Sequence, residues 1–148
     1  MHQLPCACAN LRRADRVVSQ LYDDALRPSG LRITQFTLLQ ALTLAPGVSK
    51  EISQRQLAEL LAIDSTTLTR TLAPLREKGW LRSVPGTDRR ELRLSLTAAG
   101  RRAYKRTLPY WRTAQKNLLR ALGMENWNRL METAVGTAGL VNRYREKS

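Results

Sequence analysis

The stretch from Gly79 to Gly100, GWLRSVPGTDRRELRLSLTAAG, sets one carboxylate and two guanidinium groups in a row, Asp88, Arg89 and Arg90, at the tip of a hairpin-like pattern. Hairpin tips are solvated, so polarity there is ordinary. A guanidinium pair on a projecting tip, with an acid close enough to hold one side chain still, suits an anionic partner lying beyond the hairpin. Elsewhere, residues with chemistry to offer are sparse. The two cysteines form Cys6-Ala7-Cys8 and His2 is the only histidine, so a four-ligand zinc site lacks its second pair and a nucleophile lacks a well-placed base. The acids are scattered and form no cluster for metal-assisted hydrolysis. Neither an enzyme nor a resident cofactor or metal is expected.

Charge points the same way as the hairpin tip. The 148 residues hold 25 Lys and Arg against 12 Asp and Glu, a net charge of +13, which favours a polyanion as partner. Residues 53–106 alone hold twelve bases against five acids, so over half of the excess falls on little more than a third of the chain. Clustering of this kind is what phosphate neutralisation requires. No apolar run approaches a membrane span and no signal-peptide pattern is visible, so a cytoplasmic protein without a membrane partner is expected.

The elements that must position the tip follow from periodicity. Between Asn10 and Leu26 apolar residues recur at threes and fours, a helix that Pro28 and Gly30 bring to a stop. Thr34 then has the character of an N-cap, with Ile33 and Leu38 as a staple, for an apolar second helix. Ser53 and Gln56 have capping-box spacing and open a short helix through Leu57, Leu60 and Leu61. After a break at Ile63-Asp64, Leu68, Leu72 and Leu75 mark the inner side of the next helix, whose outer side carries Thr66, Arg70, Ala73 and Glu77. Thr67 and Thr69 lie at its margins. Gly79 ends that helix, and Leu92, Leu94 and Leu96 alternate with Glu91, Arg93 and Ser95 in the second strand of a ribbon. Thr97 can cap a long helix that Gly123 closes, with a last helix from about Glu125 to Arg145.

The fold class is therefore mainly α with a small two-stranded β-wing: a winged helix-turn-helix with N- and C-terminal dimerisation helices. Residues 1–33 form the N-terminal dimerisation helix, 34–100 the winged helix-turn-helix, and 101–148 the long linking helix and C-terminal dimerisation helix, in one intertwined domain. In such a reader the second helix enters the major groove and the wing reaches the next minor groove. Arg90 would occupy the minor groove with Asp88 pinning it, and Arg89 is the alternative occupant. Apolar Leu11, Val18, Leu130, Val135 and Leu140 on the terminal helices exceed what a DNA lobe can cover, which implies a homodimer. The other reading is a nonspecific architectural DNA-binding protein, which would show little preference between an operator and random duplex.

The order of helices, together with Gly79-Trp80-Leu81-Arg82, Asp88-Arg89-Arg90 and Leu94-x-Leu96-Thr97-x-x-Gly100, resembles the multiple antibiotic resistance regulator (MarR) family of transcription regulators. That resemblance, which covers nearly the whole chain, implies a homodimer on a pseudo-palindromic double-stranded operator. It also implies repression relieved by a small ligand or by oxidation. It places Ser65, Thr66, Thr69 and Arg70 at the groove-facing start of the recognition helix, and Asp88 and Arg90 as the wing pair. Redox-responsive members have a reactive cysteine in the region of Cys6 and Cys8; the alternative is that both are inert packing. Tyr22, Phe36, Tyr104, Tyr110 and Trp111 fall on helices that line an effector pocket in this family, fit for a small aromatic effector; the alternative is ordinary core.

Overall fold

The computed structural model describes residues 5–45, 51–86 and 91–147 of the chain. Among the described residues, five helices and three short strands run in the order α1 (Ala7–Leu26), α2 (Ile33–Thr43), β1 (Ile52–Ser53), α3 (Gln54–Leu61), α4 (Ser65–Glu77), β2 (Leu81–Pro85), β3 (Leu92–Leu96) and α5 (Ala98–Lys147). A 3-10 turn, Arg27–Ser29, follows α1, and α5 is broken at Gly123, where φ is 73° and ψ 161°. The chain divides into two compact units, Met1–Arg112 and Thr113–Ser148.

Leucine fills the core of the first unit. Leu38, Leu39 and Leu42 of α2 meet Leu57 of α3, Leu68, Leu72 and Leu75 of α4, and Leu94 of β3, all buried. Each such side chain contributes about 1.5–3 kcal/mol relative to an exposed one, so this cluster is the main force holding α4 against the sheet. The alternation expected around residues 92–96 is realised at Leu94 and Leu96, while Leu92, toward the ribbon tip, stays exposed.

Two local features differ from the expectation. The second helix starts two residues earlier than a Thr34 cap would place it: the Ile33 amide donates to Asp23 Oδ1 at 2.6 Å, and the Arg32 amide to Gln35 Oε1 at 3.2 Å. A carboxylate ten residues upstream does the work of a neighbouring cap, and local spacing does not reveal it. The expected two-stranded wing also gains a third strand. β1 pairs antiparallel with β3, Ile52 opposite Leu94 and Ser53 opposite Arg93, giving the order β1-β3-β2. Two residues are too few to show alternation.

Candidate nucleic-acid interface

The recognition unit is built from its caps. Ser53 closes the sheet and opens α3: its amide donates to Gln56 Oε1 and its Oγ accepts the Gln56 amide, both at 3.0 Å. At the other end Ala62 takes the left-handed conformation, φ 51°, so that the Ala62 amide reaches the Glu59 carbonyl and the Ile63 amide the Ala58 carbonyl. That reversal turns the chain directly into α4. Asp64 caps it, Oδ1 accepting the Thr67 amide at 2.8 Å and Oδ2 the Thr67 hydroxyl at 2.6 Å. These bonds favour the ionised carboxylate and hold its pKa below the ordinary value.

With Leu68, Leu72 and Leu75 buried, the opposite face of α4 is solvent-facing, and Ser65, Thr66, Thr69 and Arg70 are all exposed. Thr66 and Arg70, four apart, lie one above the other on that face. Thr69 faces α3, where its Oγ1 accepts from Gln54 Nε2 at 3.0 Å and donates to the Ser65 carbonyl at 2.8 Å. Sequence reading missed Gln54, because a partner fifteen residues away on another helix leaves no periodic signal. The helix continues through Pro74 to Glu77.

A tight junction joins α4 to the wing and to α5. Gly79, φ 65°, lets the Gly79 amide reach the Arg76 carbonyl at 2.8 Å and the Trp80 amide the Leu75 carbonyl at 2.9 Å. Any other residue would be strained in that conformation. Thr97 then ties three elements together. Its amide donates to the Trp80 carbonyl at 3.0 Å, its hydroxyl donates to the Gly79 carbonyl at 2.8 Å, and its Oγ1 accepts the Gly100 amide at 3.1 Å. Gly100 sits so close to Trp80 that a Cβ would lie 2.3 Å from the Trp80 carbonyl oxygen. The spacing Leu96-Thr97-x-x-Gly100 thus encodes a cap and a close backbone approach at once.

Strands β2 and β3 pair from Leu81 opposite Leu96 to Pro85 opposite Leu92, and the Gly86 amide reaches the Glu91 carbonyl at 2.7 Å. Asp88, Arg89 and Arg90 lie outside the described residues. On β2, Arg82 approaches Glu51 at 3.9 Å.

Three of the five aromatic candidates stack together. The Phe36 ring, fully buried, stacks on Tyr104 at 5.4 Å and on Trp111 at 5.7 Å between centroids. Tyr22 is buried on α1, which raises its pKa, and Tyr110 is exposed. A groove of about 570 Å³ beside α1 is lined instead by charged residues that include Asp15, Arg16, Asp23, Arg27 and Arg32, with none of the five aromatics. Cys6, at the cap position of α1, and Cys8, in its first turn, are both exposed free thiols. Among the described residues no group of three or more His, Cys, Asp or Glu could hold a metal, and no helix is long and apolar enough to cross a membrane.

Short helix, tight turn, second helix and antiparallel wing define a winged helix-turn-helix protein. The family model described as the MarR family matches residues 29–91. The chain is 36% identical to the transcriptional regulator MosR of M. tuberculosis, solved in complex with DNA, over 95% of this chain and 98% of that one, with a TM-score of 0.83. It is 28% identical over 96 residues to YwoH of Bacillus subtilis, an uncharacterized HTH-type transcriptional regulator. That match spans 64% of this chain and 66% of YwoH. A MarR mutant from E. coli, complexed with operator DNA, shares the fold at a TM-score of 0.76 with 21% identity, over 87% of this chain and 91% of that one. The chain belongs to the MarR family of transcription regulators.

Proposed function

We propose that the protein is a dimeric, sequence-specific DNA-binding repressor that works in the cytoplasm on a pseudo-palindromic operator. The observation that carries this reading is the exposed Thr66 and Arg70 face of a firmly capped α4, beside a wing, in a chain of net charge +13. The 36% identity to MosR, crystallised with DNA, supports it. On this reading α4 enters the major groove, and Arg90, held by Asp88, reaches the minor groove with Arg89 beside it. Exposed Leu11 and Val17 on α1, with Met131, Val135, Leu140 and Val141 in the last helix, support a second copy as the partner that covers them.

The test is a fluorescence-anisotropy titration of the duplex upstream of the protein's own gene, with random DNA as competitor at fixed salt. A strong preference for the upstream duplex is expected, and equal affinity for both would favour the architectural reading. Arg90→Ala should weaken binding by about 1–3 kcal/mol without unfolding the protein. An unchanged affinity removes the wing from the interface.

For the release step, thiol oxidation is the reading favoured by a specific observation, the joint exposure of Cys6 and Cys8 at the start of α1. Burial of Phe36 between Tyr104 and Trp111 gives those aromatics a packing role and weighs against a small aromatic effector. Peroxide should release DNA from the wild type and not from Cys6→Ser or Cys8→Ser. Retention by the peroxide-treated wild type would return the small ligand to first place.

A further inference from the structure

We infer that Thr69 reads a thymine through its γ-methyl group and that Gln54 is the positioning residue that holds it in that role. The inference rests on the reading of α4 as the groove helix. It begins from a division among the hydroxyl side chains of that helix. Thr67 donates to Asp64 Oδ2, Thr71 donates to the Thr67 carbonyl at 2.7 Å, and Thr69 donates to the Ser65 carbonyl at 2.8 Å. Ser65 and Thr66 make no side-chain hydrogen bond among the described residues.

A hydroxyl has one proton and two lone pairs. Thr69 has placed its proton on Ser65 and one lone pair on Gln54 Nε2, yet the residue is exposed. To donate to the N7 or O6 of guanine, the N7 of adenine or the O4 of thymine, it would have to give up the Ser65 bond. The β-branched side chain has few rotamers to choose from in a helix, and the one that reaches the carbonyl four residues back is occupied. What remains to meet a base is one lone pair and the methyl group, and the methyl matches the apolar feature of the major groove, the thymine C5-methyl.

Gln54 fixes this choice from the first residue of α3, where the Ser53 and Gln56 capping box locks the backbone on either side of it. Thr66, four residues before Arg70 on the exposed face, keeps its proton and offers the opposite chemistry. Two threonines one turn apart therefore read different things, one a hydrogen-bond acceptor and the other a methyl group.

The experiment uses the full-length protein and the duplex that the wild type itself selects from a randomised pool. Each thymine in that duplex is replaced in turn by deoxyuridine, which removes the C5-methyl and nothing else. At one thymine per half-site, uracil should weaken wild-type binding about three- to tenfold. Thr69→Val keeps a methyl there but deletes the hydroxyl and with it the Gln54 bond, so it should retain that sensitivity to the reduced degree of a Gln54 variant. Thr69→Ser does the reverse and should bind the thymine and uracil duplexes alike. Gln54→Ala should lower the thymine-to-uracil ratio at the same position and leave affinity for random duplex unchanged, a pattern that a merely structural loss would not give. If Thr69→Val loses the preference entirely while Gln54→Ala only lowers it, the hydroxyl is the reader and the inference is overturned. If no uracil substitution matters although a sequence was selected, the methyl contact is overturned while the groove reading stands. If the wild type selects no sequence, the groove reading fails first and takes the inference with it.

Discussion

The lobe formed by α2, α3, α4 and the sheet buries a cluster of leucines and caps its helix ends with its own residues, whereas the helix after Gly123 leaves Met131, Val135, Leu140, Val141 and Tyr144 exposed. In the lobe, apolar side chains point to one inside and Ser53, Asp64 and Thr97 satisfy the orphan amides that begin α3, α4 and α5. Along the last helix, exposed apolar residues carry no such closure. On the dimeric reading, the contrast separates what one chain stabilises by itself from what a second copy supplies, and substitutions in the two regions should fail in different ways.

The largest effect is expected at the junction that closes the lobe. Gly100→Val sets a branched side chain where a single Cβ already lies 2.3 Å from the Trp80 carbonyl oxygen. That oxygen is also held by the Thr97 amide and has little room to move. A loss of about 4 kcal/mol or more in urea unfolding is expected, enough to unfold a marginally stable domain. A variant with the wild-type midpoint would mean that the lobe is not closed there.

Next comes a direct comparison of two leucines. Leu72→Ala, at a fully buried position, should cost about 2–5 kcal/mol, read from the unfolding midpoint. Leu140→Asp alters a residue 62% exposed in the single chain, so its effect should instead be a rise in the dimer dissociation constant measured by sedimentation. If Leu140→Asp left the association state untouched, the exposed stripe would have another purpose.

A smaller effect sharpens the account of the caps. Asp64 has its pKa lowered by the Thr67 hydroxyl and amide bonds. A carboxyl whose folded-state pKa is depressed gives its full stabilisation above the unfolded value and loses it as pH falls through the folded value. The wild type should therefore lose stability more steeply than Asp64→Asn as pH falls through and below the ordinary carboxylate range, because asparagine keeps an acceptor for the Thr67 amide and cannot titrate. Parallel pH profiles would show that the cap acts through geometry alone.

How much of this was legible in the sequence depends on how far apart the cooperating residues lie. The capping box of Ser53 and Gln56, the stop at Gly79, the Thr97 cap and the leucine alternation at 94 and 96 involve partners within a few positions, and periodicity exposes them. The Asp23 bond to the Ile33 amide, the two-residue strand β1 and the Gln54 bond to Thr69 join segments that meet only after packing. The candidate interface follows the same rule. Which residues of α4 face outward follows from three leucines, but which of its hydroxyls is held by a second helix depends on α3. Gly100 is a middle case, since its place in Leu-Thr-x-x-Gly is visible while the carbonyl that excludes a side chain there is not.

The smallest expected effect is a gain, and it tests whether the turn between α3 and α4 is selected for strain or for shape. Ala62 adopts φ 51° and ψ 41°, a left-handed conformation in which a Cβ crowds the following carbonyl. That costs an alanine about 1–2 kcal/mol, and glycine avoids it while giving up more chain entropy on folding, about 0.5–1 kcal/mol. The difference favours glycine, so Ala62→Gly should raise stability by about 0.5–1 kcal/mol in urea unfolding. Its amide and that of Ile63 keep the bonds that end α3, and α4 should start at the same place. Affinity for the selected duplex should then be unchanged. If stability rises and affinity falls, the alanine methyl itself contributes to the placement of α4, and the turn is part of the reading surface instead of a hinge that only connects it.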